Sequence, residues 1–325
     1  MNREKPAESR ASLGRRLRII AQDGFGLGAT LFEPRQPARA TVVINGATAV
    51  PASYYSRFAE HLASSGYRVL SYDYRGVGAS RPLNLRGFPA SMSDWAELDA
   101  RSVLDYAKQS HGAEPLVLVG HSFGGQLLGL LDDARDVTGA VLVGAQLGYY
   151  GHWPLFGRMK LGFVWNVMLP TLTRSFGYLP GAAGIGEDLP KGVAEQWARW
   201  CSHPDYLMSE HPAARRRFAR FDKPTLFYSM SDDDFAPEGA VSQFLGALSS
   251  APLEHRRVIP AELGVDAVGH FGFFHPRFTD TLWREVRWFI DDLAAGKQHF
   301  RPKRGRAPWN IDDEDVALDL AYGRA

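Results

Sequence analysis

The sequence predicts an α/β protein with a mostly parallel β-sheet of about eight strands and helices on both faces. Short apolar segments rich in β-branched residues recur along the 325 residues, and segments with the spacing of amphipathic helices separate them. Strands that alternate with helices usually pair in parallel, because each helix carries the chain back across a face of the sheet. Hydrophobic residues make up 45% of the chain and charged residues 22%, which excludes a disordered, collagen-like or coiled-coil protein.

Eight segments carry the strand pattern, and the turn Gln22-Asp23-Gly24 joins the first two as a hairpin. In chain order the predicted strands are Arg18–Ala21, Leu27–Phe32, Ala40–Ile44, Tyr67–Tyr72, Leu116–Val119, Ala140–Val143, Thr225–Tyr228 and His255–Ile259. The predicted helices are Tyr54–Ser65, Trp95–Gln109, Glu238–Leu248 and Thr281–Leu293. Gly66 follows the first of these helices at the position of a C-cap, and Ser93 and Asp94 are candidate N-caps of the second.

Residues 146–222 separate two predicted strands and differ from the rest of the chain in composition. They contain many Gly and Pro residues and four tryptophans, Trp153, Trp165, Trp197 and Trp200. Because a segment of this length between sheet strands is usually functional, we interpret it as a helical cap, or lid. Its tryptophans either line an apolar acyl pocket or pack the cap itself. The predicted organisation is a flexible leader at 1–14, a core at 15–145 and 223–296, the cap at 146–222 and a C-terminal extension at 297–325.

The charge balance excludes several classes of partner. With 37 Lys+Arg and 36 Asp+Glu the net charge is +1, which gives no general argument for binding nucleic acid or an anionic membrane. The single cysteine, Cys201, excludes an internal disulfide and a multi-cysteine metal site, and we expect no metal or cofactor. The first ten residues are charged, and no apolar run approaches the ~18 residues that span a bilayer. We therefore expect a cytoplasmic protein without a membrane span.

The segment Gly120-His121-Ser122-Phe123-Gly124-Gly125 matches the nucleophile elbow, G-x-S-x-G. It directly follows a predicted buried strand and leads into a helical stretch, which is the context that this motif requires. A serine hydroxyl becomes a nucleophile only when a base takes its proton, and the flanking glycines allow the tight turn that exposes it. The pattern therefore predicts Ser122 as the nucleophile of an acyl-transfer reaction.

The acid and the base of a triad should follow the serine in that order. Asp232, Asp233 and Asp234 come directly after the strand at 225–228, and we favour Asp233 as the acid. We expect the other two aspartates to be charges at the N-terminus of the next helix. His270, flanked by Gly269 after the last strand, is the predicted base.

Of the other histidines, His121 adjoins the serine and cannot fold back onto it as the base, and His275 is a reserve candidate. Two backbone N–H groups should form the oxyanion hole. We expect one from Phe123, after the nucleophile, and the other from the loop 45–48, with Ala47 as the first choice.

Several segments besides the elbow resemble those of one known superfamily. They are Tyr72–Ser80, Ser231–Asp233 and Gly269–Phe274, together with Glu187–Pro190 and Trp197–Trp200 in the insert. With the elbow, they resemble the α/β-hydrolase superfamily in its serine aminopeptidase and monoacylglycerol-lipase-like branch, and within it bacterial α/β-hydrolases of unassigned substrate. The resemblance covers about residues 17–293 and implies the α/β-hydrolase fold with a helical cap.

The resemblance also bears on two residue choices. In that superfamily an aspartate four residues before a proline commonly supplies the triad acid, which implies Asp233, four residues before Pro237. The superfamily often has His-Gly in the oxyanion loop, where this chain has Asn45-Gly46.

The expected function is hydrolysis of a carboxylic ester with an apolar or aromatic portion, through an acyl-enzyme on Ser122. An acyltransferase, an amidase or a carbon–carbon hydrolase would use the same three side chains. A protein that kept the fold and only binds a ligand is the alternative from another class. The expected partner is a small acyl substrate, and the sequence does not reveal the oligomeric state.

Overall fold

An eight-stranded, mostly parallel sheet lies at the centre of the protein in the computed structural model, which describes residues 14–132, 134, 136–184 and 186–297. The strands are β1 (Arg15–Ile20), β2 (Gly26–Phe32), β3 (Thr41–Asn45), β4 (Arg68–Tyr72), β5 (Leu116–His121), β6 (Gly139–Val143), β9 (Thr225–Met230) and β10 (Leu253–Val258), and two short strands, β7 (Tyr178–Leu179) and β8 (Leu189–Pro190), pair separately. The order across the sheet is β1-β2-β4-β3-β5-β6-β9-β10. Pairs β1–β2 and β2–β4 are antiparallel and the others are parallel. The predicted fold class is confirmed.

Helices flank this sheet on both faces, and further helices belong to the insert between β6 and β9. They are α1 (Ser56–Ser64), α2 (Met92–Asp94), α3 (Arg101–His111), α4 (Phe123–Leu130), α5 (Leu155–Phe163), α6 (Leu169–Phe176), α7 (Lys191–Ser202), α8 (Ala213–Arg220), α9 (Glu238–Ala247) and α10 (Leu282–Ala294). Two π-helical segments, Trp95–Ala100 and Val164–Met168, continue α2 into α3 and α5 into α6.

The central strands are buried on both faces, which explains their nearly continuous apolar sequence. All five residues of β3 are buried, and successive side chains enter different hydrophobic clusters: Val43 packs in one, and Val42 and Ile44 in the other. This alternation follows from the two-residue period of a strand. The two clusters are the two layers of core between the sheet and its helices.

The helix predicted from Trp95 begins earlier than expected, because a capping box precedes it. The Ser91 hydroxyl accepts a hydrogen bond from the N–H of Asp94, and the Asp94 carboxylate accepts one from the N–H of Ser91 at 2.8 Å. The N-cap is therefore Ser91, and the prediction of Ser93 or Asp94 as the cap is wrong. Asp94 instead supplies the reciprocal acidic partner three residues into the helix.

The insert at 146–222 contributes α5 to α8 between β6 and β9. Hydrogen bonds tie it to the rest of the chain: among them, the Trp153 indole donates to the carbonyl of Asp234 at 2.9 Å, and the Glu187 carboxylate accepts from the N–H of Gly78 at 2.9 Å. The cap boundaries stay a prediction. The predicted leader and C-terminal extension lie outside the described residues, apart from Gly14 and Lys297.

No helix in the described part of the chain is both long enough and apolar enough to cross a bilayer.

His61 on α1 predicts a measurable acid sensitivity of the fold. Burial, helped by the positive charge of Arg287, lowers the pKa of His61 from 6.5 to about 4. Its ring packs against Trp283, and its Nε2 has no hydrogen-bond partner among the described residues. The unfolded chain takes up a proton here near pH 6.5, whereas the folded chain does so only near pH 4, so acid favours the unfolded state across that window.

Replacing His61 with Phe should remove this contribution. We expect the free energy of unfolding of His61→Phe to fall less than that of the wild type as the pH drops from 6.5 to about 4. Urea denaturation at intervals through this range measures it. Parallel pH curves for the two proteins would show that the imidazole titrates equally in both states.

Candidate active site

Ser122 stands on a strained turn between β5 and α4. Its backbone angles, φ 52° and ψ −115°, lie in a region that non-glycine residues rarely adopt. The turn is tight enough to exclude side chains beside it: a Cβ on Gly120 would lie 2.7 Å from the Gly125 backbone, and one on Gly124 would lie 2.0 Å from the carbonyl oxygen of Asn45. The glycines of the motif are therefore required by close backbone approach, as the elbow interpretation predicts.

The Gly124 contact leads to a prediction about folding. In Gly124→Ala the new methyl group would collide with the backbone of Asn45, which cannot rotate away as a side chain could. We expect a loss of about 1–3 kcal/mol in the free energy of unfolding and reduced activity through displacement of the oxyanion loop. Gly246, exposed on α9 with open space around it, is the matched control. Gly246→Ala should stabilise the protein by about 0.5–1 kcal/mol, because alanine is the better helix former. Equal stabilities of the two variants would contradict the steric argument.

The sheet register brings three loops to one edge. Gly120 pairs with Asn45 on β3, and His121 pairs with Val143 at the end of β6. The carboxyl ends of these parallel strands therefore place the elbow between the loop 45–48 and the loop after β6, where ligands bind in open α/β sheets.

His270 and Asp233, the predicted base and acid, form a buried pair. His270 Nδ1 lies 2.7 Å from Oδ2 of Asp233, and both residues are less than a tenth exposed. The other oxygen, Oδ1, accepts hydrogen bonds from the N–H groups of Phe235 at 2.8 Å and Ala236 at 3.0 Å. The carboxylate is therefore fixed on both oxygens and orients the ring. Because Nδ1 donates to it, Nε2 is left free to accept a proton.

The three neighbouring aspartates have three different roles. Asp232 Oδ2 accepts from the N–H groups of Val268 at 2.8 Å and Gly269 at 3.0 Å, so it holds the loop that carries His270. The expectation that Asp232 is a helix N-terminal charge is wrong, since α9 begins only at Glu238. The carbonyl of Asp234 accepts from the indole N–H of Trp153 in the insert.

A buried chain of hydrogen bonds, which the sequence analysis missed, joins the loop 45–48 to the His270 loop. The N–H of Ala47 donates to the Tyr55 hydroxyl at 2.9 Å, and this hydroxyl lies 2.8 Å from Nδ1 of His121. His121 Nε2 lies 3.0 Å from the carbonyl oxygen of His270. A carbonyl only accepts, so Nε2 carries the proton and Nδ1 accepts from the hydroxyl. Burial lowers the pKa of His121 well below its ordinary value, with His270 adding to the effect, so the ring is neutral.

The two predicted oxyanion-hole residues, Phe123 and Ala47, line the same cavity as Ser122 and His270. The N–H of Phe123 is the first of α4, where helix N–H groups have no partner within the helix. The N–H of Ala47 already has the Tyr55 hydroxyl as its acceptor, and Thr48 beside it also lines the cavity.

The cavity has a volume of about 630 Å³ and lies between the sheet edge and the insert. Trp153, Trp165 and Trp197 line it, whereas Trp200 is fully buried and packs against Tyr206. Three of the insert tryptophans therefore face the cavity, and the fourth packs the insert. The volume of the cavity falls within the usual range for small-molecule sites.

The remaining candidates lie away from this chemistry. His275 is exposed and its Nδ1 accepts from the N–H of Arg277. Cys201 is buried in the cavity wall, and burial raises the pKa of its thiol well above the ordinary value. Among the described residues no group of three or more His, Cys, Asp or Glu could hold a metal ion.

Comparison with known proteins supports one family. The sequence model of the serine aminopeptidase S33 family matches residues 36–181, which include the loop 45–48 and the elbow. No curated protein matches the chain.

Solved structures with the same fold cover nearly the whole chain. A soluble variant of monoglyceride lipase from Saccharomyces cerevisiae, in complex with a substrate analogue, is 14% identical and gives a TM-score of 0.64 over 90% of this chain and 99% of that chain. An esterase from Pyrococcus furiosus is 16% identical, with a TM-score of 0.56 over 88% of this chain and 92% of that chain. A thermophilic esterase from Thermogutta terrifontis with bound malate is 17% identical, with a TM-score of 0.56 over 86% and 99%. The chain therefore has the α/β-hydrolase fold, and its residues 36–181 match the serine aminopeptidase S33 family model.

Proposed function

We propose that this protein hydrolyses a carboxylic ester with an apolar portion, through a triad of Ser122, His270 and Asp233. The observation that carries the proposal is the buried His270–Asp233 pair at 2.7 Å, which shares a cavity with a serine on a strained elbow. Strain at a residue next to a cavity is a common mark of function.

The reaction follows from the protonation states. Ser122 Oγ attacks the ester carbonyl carbon and passes its proton to Nε2 of His270, while Asp233 stabilises the resulting imidazolium. His270 then returns that proton to the leaving alcohol as the C–O bond breaks, which leaves an acyl group on Ser122. Water, deprotonated by the same nitrogen, attacks the acyl carbon; the bond between that carbon and Ser122 Oγ breaks, His270 returns the proton to Oγ, and the acid leaves. Within the described residues the Ser122 hydroxyl makes no hydrogen bond, and catalytic hydrogen bonds often tighten only when substrate binds.

Backbone N–H groups stabilise the negative oxygen that forms on the carbonyl. We assign the N–H of Phe123 and, as second donor, that of Ala47. The Ala47 N–H donates to a neutral hydroxyl, Tyr55, in the absence of substrate. An oxyanion is the stronger acceptor, because hydrogen bonds to charged groups are about twice as strong as neutral ones.

The cavity wall supports an apolar substrate portion, since tryptophan and other large apolar side chains dominate it. The names of the similar structures, esterases and a monoglyceride lipase, support ester chemistry. The shared fold also hosts acyl transfer and amide or carbon–carbon hydrolysis. Product analysis with a p-nitrophenyl ester in water and with added alcohol separates acyl transfer from hydrolysis, and the matching p-nitroanilide tests amide hydrolysis.

A fluorophosphonate probe tests the nucleophile directly. We expect covalent labelling of the folded wild-type chain, with the mass increase on the peptide that contains Ser122, because the probe reacts with activated serines. Incubation of the same protein after unfolding is the control and should give no labelling. A folded chain that remains unlabelled would favour a ligand-binding role without catalysis.

A further inference from the structure

One side of the insert carries a row of exposed apolar side chains. Leu155, Met159 and Phe163 on α5 are 72%, 67% and 59% exposed, and Val167 in the π-helical segment after it is 48% exposed. The four-residue spacing places them on one face of the helix. We call these four residues the outer row. No residue of α5 is buried.

The adjacent face of the same helix lines the cavity. Phe156, Lys160, Val164 and Met168 repeat at the same spacing and are cavity residues, whereas no member of the outer row is. The outer row is therefore not required to form the cavity wall, although the exposed Phe156 beside it reaches both the cavity and the surface. Large exposed apolar surfaces of this kind usually mark an interaction site.

Charge is distributed unevenly around this row. Residues 137–186 contain no Asp or Glu, although the chain has 36 of them in 325 residues. The same stretch holds Arg158, Lys160 and Arg174, and none of these three forms an ion pair with a described residue. The net charge of +1 therefore conceals a local surface that is apolar and positively charged.

We propose that the outer row docks on an anionic lipid surface. Interfacial helices combine an apolar face, which enters the boundary between headgroups and acyl chains, with basic residues that attract anionic lipids. The docking itself is independent of the proposed function. A further step, in which the cavity behind α5 receives an ester from the lipid layer, rests on the proposed function.

A second copy of the chain fits this surface less well. In a two-fold dimer the same patch lies on both subunits, so the interface would gather two sets of Arg158, Lys160 and Arg174 from a stretch that contains no Asp or Glu. The basic residues therefore favour a partner of opposite charge.

Vesicle sedimentation with full-length Ser122→Ala, which should not degrade lipid, tests the proposal. We expect at least about tenfold stronger partitioning into vesicles of phosphatidylglycerol and phosphatidylcholine than into phosphatidylcholine alone, and weaker binding in high salt. The added changes Leu155→Gln, Met159→Gln and Phe163→Gln should lower partitioning at least about tenfold. The control is Ile20→Gln with Ile259→Gln. These two exposed apolar residues lie on the outermost strand β1 and just beyond β10, and replacing them should leave the partitioning unchanged.

Charge variants give a second measurement that does not alter the apolar row. Arg158→Gln with Arg174→Gln should weaken binding to the anionic vesicles several-fold and flatten its salt dependence. If the protein bound neither the anionic vesicles nor those of phosphatidylcholine alone, or bound both equally, the proposal would be overturned. The proposal would also be overturned if the protein bound no lipid and light scattering showed a dimer that the outer-row substitutions dissociate. The vesicle experiments do not measure turnover. Ester hydrolysis by the wild type is measured separately with p-nitrophenyl acetate in solution, so a failure of docking can be told apart from a failure of hydrolysis.

Discussion

Ser122→Ala is expected to lower the turnover of a p-nitrophenyl ester by about 10⁵- to 10⁶-fold, without loss of the fold. The hydroxyl is the only atom group that the substitution removes, and no described residue depends on it for a hydrogen bond. The backbone hydrogen bond from the Ser122 N–H to the Val143 carbonyl, at 2.9 Å, is unaffected. Steady-state kinetics report the loss, and circular dichroism and urea denaturation report the fold.

Ser231→Ala is the matched control, because Ser231 is exposed and precedes the acid loop without entering the buried pair. It should keep the wild-type rate within about twofold, as ordinary surface substitutions do. Equal turnover by the wild type and Ser122→Ala would remove the serine from the mechanism and leave only the fold assignment.

The sequence predicted those parts of the site that depend on local geometry. An elbow needs a buried strand, small residues and a helix in immediate succession, and Gly120-His121-Ser122-Phe123-Gly124 shows all of these within one segment. The strand itself extends two residues beyond the predicted end, to His121. Its last residues are recognised as a strand only through pairing with Asn45 and Val143 on neighbouring strands, which an apolar pattern does not record.

The long-range hydrogen bonds could not be predicted in the same way. Tyr55 and His121 are 66 positions apart, and nothing in either residue type shows that their side chains meet beneath the elbow. The exclusion of His121 as the base agrees with its burial, but its link to the His270 carbonyl depends on packing of the final loop. The same holds for Ala47. Its position in the loop predicts that its N–H lies at the cavity, but does not predict that this N–H donates to the Tyr55 hydroxyl.

Some residues that carried the family resemblance, outside the proposed triad, have mainly structural contacts. Asp73 accepts hydrogen bonds from the N–H of Ala52 at 2.6 Å and that of Ala79 at 2.9 Å. Arg75 is buried between Asp99 and Asp23, at 2.7 Å from each. These contacts hold the loop after β4 against its neighbours. A motif can therefore identify a fold through residues that do not touch the substrate.

The three adjacent aspartates allow the acid to be tested against two neighbours of identical chemistry. Asp233→Asn is expected to lower kcat by about 10⁴-fold, because an amide can donate to His270 Nδ1 and so stabilise the wrong tautomer of the ring. Asp234→Asn should stay within about twofold of the wild type, since only its backbone carbonyl makes the contact to Trp153.

Asp232→Asn separates positioning from proton transfer. Its amide oxygen can still accept from Val268 and Gly269, so the loop that carries His270 keeps its hydrogen bonds, but they lose the strength that a carboxylate gives. We expect a decrease in kcat of about tenfold or less and a small loss of stability, of about 1 kcal/mol. Asp232→Ala, which removes the acceptor, should lower both kcat and the free energy of unfolding further. Asp233→Ala should lower activity far more than stability. If instead Asp232→Asn lost more activity than Asp233→Asn, the carboxylate that supports the base would be Asp232, and the 2.7 Å contact between His270 and Asp233 would not be the catalytic one.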